Sequence, residues 1–191
     1  MPLPTRTEAL AILHEFLSNE YLLRHSFASE AVLRALAGHL GHDESLWGIT
    51  GLLHDLDLEL VGNDMSQHGR RTVDILRERF DFPREALDAI LAHNGDVLGI
   101  ECVSPFDHAL TAGESITGMV FAMARVLPSK SLRDVKAKSV AKRIDEPRFA
   151  ANISRERLHH YAALGLDRAT FCTIAVQAMQ TMQTMQAMQA I

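Results

Sequence analysis

Ten histidines stand against two cysteines in this chain of 191 residues, and several of the histidines sit where metal chemistry is possible. The densest segment is Gly51-Leu52-Leu53-His54-Asp55-Leu56-Asp57. Its His-Asp pair follows an apolar run from Ile49 to Leu53, so the pair is expected on a buried helix. An ionised carboxylate buried without a partner is costly. A divalent cation offsets that cost, and imidazole nitrogen and carboxylate oxygen are ordinary ligands for one. Neighbouring helical residues point about 100° apart, yet both reach an ion placed over the face between them. The dipeptide alone leaves a second reading open, a hydrogen-bonded core His beside an exposed Asp. Three more histidines and a late acid extend the pattern: His25 in Arg24-His25-Ser26, His68 before Gly69, His93 before Asn94, and Glu114 in an otherwise apolar stretch. Cys102 and Cys172 lie in no ligand spacing, which excludes a disulfide scaffold and a cysteine zinc site and suits a reducing cytosol.

The elements that must carry these residues read as helices throughout, since helical periodicity dominates and alternating strand runs are missing. Thr5-Arg6-Thr7-Glu8 has capping-box spacing and opens the first helix. Further helices are expected over 22–40, 44–60, 66–80, from Pro83 to His93, and over 106–127, ended by Pro128. Asn94 to Pro105 is the longest loop, with Gly95 and Gly99 within it. A short basic helix, a break at Asp145-Glu146-Pro147, and two last helices from about Ser154 and Asp167 complete an all-α chain of about eight or nine helices. The expected organisation is one compact domain over 1–175 and a Met/Gln-repeat helical extension over 176–191. In that repeat (Met179, Met182, Met185, Met188) a period of three slips about 60° per step against the helical turn, so its methionines spiral rather than form a stripe.

The ordered set resembles the HD-domain superfamily of metal-dependent phosphohydrolases, in particular its small HDIG-type members. The resemblance covers most of residues 20–165 and rests on RHS at 24–26, GLLHDLD at 51–57, HG at 68–69, AHN at 92–94 and AL-x-A-x-x-x-x-TG at 109–118. Lys138-Ser139-Val140 and Phe149-Ala150-Ala151 also look like that group. It implies that His25, His54 and Asp55 are metal ligands, that His68 and His93 hold a second ion bridged by Asp55, and that the closing acid falls on Glu114. The family has Asp at that place, and the longer Glu side chain displaces its carboxylate relative to the ion. The implied cofactor is one or two divalent ions of Mn, Fe, Co, Ni or Zn. The implied reaction is hydrolysis of a phosphate ester, a nucleotide or small phosphorylated metabolite, with Asp55 at the reacting centre. Asp57 is a candidate for orienting a ligand or handling a proton, a solvated surface role being the alternative. Two other functions remain open on the resemblance: a two-iron oxygenase using the same ligands, and a metal-free binding module. His14, His39, His42, His108, His159 and His160 match nothing in the pattern and are expected at the surface or at helix ends.

Charge narrows the partners. The net charge is −5, but Arg125 to Arg143 holds seven basic residues against one acid, leaving −11 on the remainder. That layout suits a small anionic substrate rather than nucleic acid. Asn94 and the basic residues Lys130 and Arg133 are the substrate-binding candidates. No secretory peptide and no membrane span is read, so the expected location is the cytoplasm. The Met-rich C-terminus allows a homodimer.

Overall fold

Polar side chains cap the starts of several helices. The computed structural model describes residues 3–189, with side chains described as far as 184. Thr5 and Glu8 form a reciprocal capping box at the start of α1 (Arg6–Phe16). Asn19 caps α2 (Glu20–Leu40) and Asp43 caps α3 (Glu44–Leu53), each accepting from two free N–H groups of the first turn. Ser104 and Asp107 form a second capping box at α8 (Pro105–Val126), with proline in its first turn. The remaining helices are α4 (Leu58–Val61), α5 (Arg70–Arg79), α6 (Arg84–His93), α7 (Gly95–Leu98), α9 (Ala137–Arg143), α10 (Arg155–His159) and α11 (Arg168–Gln189). Two 3-10 turns, Leu132–Asp134 and His160–Leu164, complete the fold, which is all-α with no strand among the described residues.

The long helices α2 and α8 form its centre: α2 packs on α3, α8 and α11, and α8 also receives α6 and the turn His160–Leu164. Leu33, Leu36, Leu52, Leu53, Leu110 and Ile116 are fully buried between them, each worth about 1.5–3 kcal/mol over an exposed position. Gly51 permits the α2–α3 contact, because a Cβ there would lie 2.8 Å from the Ser29 carbonyl oxygen. The buried Glu30 of α2 is satisfied by a two-point bond from Arg6 at 2.6 and 2.9 Å, which ties α1 to the centre. Arg155 fills the break after α9 by donating to the carbonyls of Ile144, Glu146, Phe149, Ala150 and Ile153.

The segment expected as a loop over 94–105 contains the one-turn helix α7, closed by Gly99 at φ +68°, and three sequence-based helix boundaries also differ, each for a local reason. The helix expected over 44–60 stops at Leu53, because the His54 ring takes the Gly51 carbonyl at 2.8 Å and the chain turns through residues 54–57 before α4. The helix expected from Ser66 begins at Arg70, since Gly69 has φ +83°, a left-handed value no helix interior contains. The expected basic helix divides into the turn Leu132–Asp134 and α9, leaving Lys130, Arg133 and Lys136 exposed. At the C-terminal end, α11 runs unbroken through the first part of the Met/Gln repeat. Met179 is fully buried and Gln180 donates to the carbonyls of Leu132, Arg133 and Val135. The side chains of Met185 and Met188 lie outside the described residues. Among the described residues no helix is long and apolar enough to cross a membrane.

Candidate metal centre

The turn that ends α3 places His54 and Asp55 at the focus of three other elements. His25 arrives from the first half of α2, His68 from the turn before α5, and His93 from the last residue of α6. The Asp55 carboxylate is the common point. Its Oδ1 lies 3.3 Å from His54 Nε2, 3.4 Å from His68 Nε2 and 3.3 Å from His93 Nε2, and its Oδ2 lies 3.4 Å from His25 Nε2. The atoms form two groups that share Asp55: His25 with His54, and His68 with His93. All of these side chains are buried or nearly so, His25 being the most open at 14 %.

The opposite side of every ring is already committed. His54 Nδ1 faces the Gly51 carbonyl, His93 Nδ1 the Ile90 carbonyl, and His68 Nδ1 the Asp57 carboxylate at 2.7 Å. His25 Nδ1 lies 2.9 Å from Thr117 Oγ1, whose own proton goes to the Glu114 carbonyl, so Thr117 accepts from the ring. In the neutral rings each Nδ1 therefore carries the proton and each Nε2 presents a lone pair to Asp55. Lone pairs facing a carboxylate at these distances have no proton between them. The same holds for His93 Nε2 and His68 Nε2, which are 3.0 Å apart, and the buried His54 Nε2 has no hydrogen-bond partner at all. A cation placed among these atoms would resolve the contacts. Neighbouring ligands of a tetrahedral ion with bonds of roughly 2.0–2.2 Å stand about 3.3–3.6 Å apart, which the four Asp55–imidazole distances match.

Electrostatics favours the ligating forms of His25, His54 and Asp55 and opposes that of His68. Burial pushes the His25 and His54 imidazoles below their ordinary value, against the pull of Asp55. Burial alone would raise Asp55, but the surrounding imidazoles hold its carboxyl well below the usual range. For His68 burial again lowers, yet the Asp57 hydrogen bond and the nearby carboxylates outweigh it and raise the ring.

Asp57 is fully buried, contrary to a solvated helix-surface role. It holds His68 through Oδ1 while its Oδ2 accepts from the backbone N–H groups of Gly69, at 2.7 Å, and Thr72, at 3.0 Å. It thereby caps α5, whose own N-cap residue is glycine and has no side chain for the task. Thr72 completes the clasp by accepting the Asp57 N–H at its hydroxyl. Asp57 is thus a positioning residue for His68. Glu114 borders the cluster without joining either group of converging atoms. Its Oε2 is 3.7 Å from His25 Nε2, while its Oε1 takes the Ser115 hydroxyl at 2.6 Å and the Arg157 guanidinium at 3.1 Å.

A cavity of about 490 Å³ opens beside His93, within the size range of small-molecule sites. The loop after α6 supplies much of its wall through Gly95, Asp96, Gly99, Ile100 and Glu101, with Arg157 on another side. Asn94 itself does not reach this wall. It is buried and donates to the carbonyls of Met65, at 2.8 Å, and His68, at 3.1 Å, so it holds the turn that carries His68. Lys130 and Arg133 do not line the cavity either; Arg133 borders a separate depression with Gln180, Thr181 and Thr184. Arg157 is the residue the sequence did not disclose. It bonds Glu114 and also donates to the His93 carbonyl, but it sits in α10 in no recognisable pattern, and only folding brings it to the cluster. Of the histidines set aside as surface or helix-end residues, His14, His39, His42 and His159 are exposed. His108 and His160 are half-buried and meet each other.

A family model described as HD domain matches residues 22–156. That span contains His25, His54, Asp55, His68, His93 and Glu114 and stops one residue before Arg157. No curated protein and no solved structure gives a significant match.

Proposed function

Since the chain belongs to the HD-domain family, we propose that it is a divalent-metal-dependent hydrolase of a phosphate ester, acting on a nucleotide or another small phosphorylated metabolite. The observation that carries this reading is the convergence of four imidazole Nε2 atoms on the Asp55 carboxylate, each ring held from behind through Nδ1. His25, His54 and Asp55 would hold one ion, and His68, His93 and Asp55 a second. Divalent cations bound there supply a water ionised near neutral pH and a counter-charge for phosphoryl oxygens.

The chain's own groups set the rest. Thr117, Asp57 and the carbonyls of Gly51 and Ile90 keep the rings turned inward, as supporting hydrogen bonds around metal ligands do. The cavity wall carries Asp96 and Glu101 against a single guanidinium, Arg157. Among the residues of the cavity wall, attraction of an anionic substrate would fall to Arg157, together with cations held at the centre. The two-iron oxygenase alternative requires His68, His93 and a functioning late carboxylate together. In Glu114, Oε1 is engaged by Arg157 and Ser115 while Oε2 faces His25 Nε2 at 3.7 Å, so dioxygen uptake by the iron-loaded protein is the measurement that separates the two readings.

The test is metal analysis of protein purified without chelator, combined with phosphate release from p-nitrophenyl phosphate and nucleotides across a panel of divalent ions. Bound metal and release with at least one cation are expected. His54→Ala and Asp55→Ala should each abolish metal retention. Absence of both metal and turnover under every cation overturns the proposal.

A further inference from the structure

A second set of ligating atoms borders the same cavity, outside the cluster around Asp55. Cys102 Sγ and one ring nitrogen each of His108 and His160 all lie within 4.8 Å of one another. They come from three places in the chain: Cys102 from the segment between α7 and α8, His108 from the first turn of α8, and His160 from the 3-10 turn that follows α10. His108 Nδ1 and His160 Nδ1 stand 2.8 Å apart, facing each other across 52 residues of sequence. The Cys102 sulfur is held by Thr111 Oγ1 at 3.4 Å. All three side chains are half-buried, and Cys102 and His160 line the cavity together with His93.

Two facing imidazole nitrogens can share one proton, while the thiol beside them has only the long contacts to Thr111 Oγ1 at 3.4 Å and the Ala92 carbonyl at 3.9 Å. One thiolate and two imidazoles from three segments make the three-ligand arrangement in which zinc keeps a position open. The soft sulfur selects against magnesium and calcium. We propose that Cys102, His108 and His160 form a separate site for a thiophilic divalent cation of the zinc class, with its remaining position directed to the cavity shared with His93. Water fills that position, or an anionic oxygen of whatever occupies the cavity. Such a site would revise the sequence-based exclusion of a cysteine zinc site, because the fold and not a local motif brings Cys102 to His160. It stands whether or not the Asp55 centre hydrolyses phosphate esters.

Cobalt(II) provides the test, because a thiolate bound to it gives an intense near-ultraviolet charge-transfer band that imidazole and carboxylate ligands do not. Full-length protein titrated with Co(II) should develop this band, and added Zn(II) should bleach it. His54→Ala, which disables the Asp55 centre, should keep the band. Cys102→Ser should lose it while still binding Co(II) at the Asp55 centre, and Cys172→Ala should keep it. His108→Ala and His160→Ala should each weaken the site by about tenfold or more, with folding checked by far-ultraviolet circular dichroism. No thiolate band in the wild type overturns the proposal, as does a band that survives Cys102→Ser or is indifferent to both histidine substitutions.

Discussion

At Asp57 one buried carboxylate serves two elements, orienting the His68 ring and capping the start of α5. Asn at this position keeps one acceptor and turns an NH2 group towards the N–H donors of Gly69 or Thr72. Asp57→Asn should therefore cost about 1–3 kcal/mol of stability through unsatisfied buried donors and weaken metal binding at the His68 side about 10–100-fold. Urea unfolding and metal titration read the two effects separately; unchanged metal binding would remove Asp57 from the support of the centre. The protonation directions add a prediction about order. His25 and His54 lie below the ordinary imidazole value, so they remain neutral and able to ligate until the pH falls below about 6.5. His68 lies above it, so protons already compete for Nε2 at higher pH. In stepwise acidification, metal held through His68 and His93 should leave first and metal held through His25 and His54 later. Metal content after dialysis at each pH checks this, and simultaneous loss of both ions would contradict it. For the metal-free protein the linkage runs the same way for the lowered pair. The stability they contribute is present above the unfolded value and lost as the pH falls through their folded values, while the raised His68 opposes that loss.

Among the elements, the end of α3 decides the geometry. A helix continued through His54 would spread 54, 55 and 57 around its circumference, about 100° per residue. The actual turn lets His54 and Asp55 face one point and sends Asp57 inward to α5. That turn is placed by the close seat of α3 on α2, where Gly51 meets the Ser29 carbonyl. Gly51→Ala puts a methyl group 2.8 Å from that backbone oxygen, so α3 must shift. The expected cost is about 1–3 kcal/mol by overpacking, read as a lower urea midpoint, together with weaker metal retention as the Gly51–His54 bond is disturbed. A variant with wild-type stability would show that the α2–α3 contact yields more easily than its geometry indicates.

For the whole molecule, the central question is how the late part of the chain supports a centre built mostly from the first 114 residues. The answer runs through α2, which carries His25 and packs on α11. Phe171, Cys172, Ala175 and Met179 of α11 are fully buried, so the opening of the Met/Gln repeat contributes to the common core. Met179→Ala should destabilise the protein by about 2–5 kcal/mol, which for a chain of this size lowers Tm by roughly 2–4 °C per kcal/mol. Thermal denaturation checks it; a Tm within a degree of wild type would make this end of α11 dispensable to the core. Arg157 ties the same late region to the centre from the other side, through Glu114 and the His93 carbonyl.

Residue types and local order were enough to read the all-α class, the capping of α1 by Thr5 and Glu8, and the succession His25, His54-Asp55, His68, His93. Each of these depends on neighbours within a few positions or on an ordered pattern along the chain. Tertiary structure decided what distance along the chain hides. It put Asp57 behind His68 and turned Asn94 from the cavity towards two carbonyls. It drew Glu114 to Arg157, and it brought Cys102 and His108 to His160. Contacts between residues so far apart in sequence leave no periodicity or spacing to read. Their partners become neighbours only when apolar burial has packed α2, α3, α6 and α8 together, and that packing fixes which lone pairs face inward.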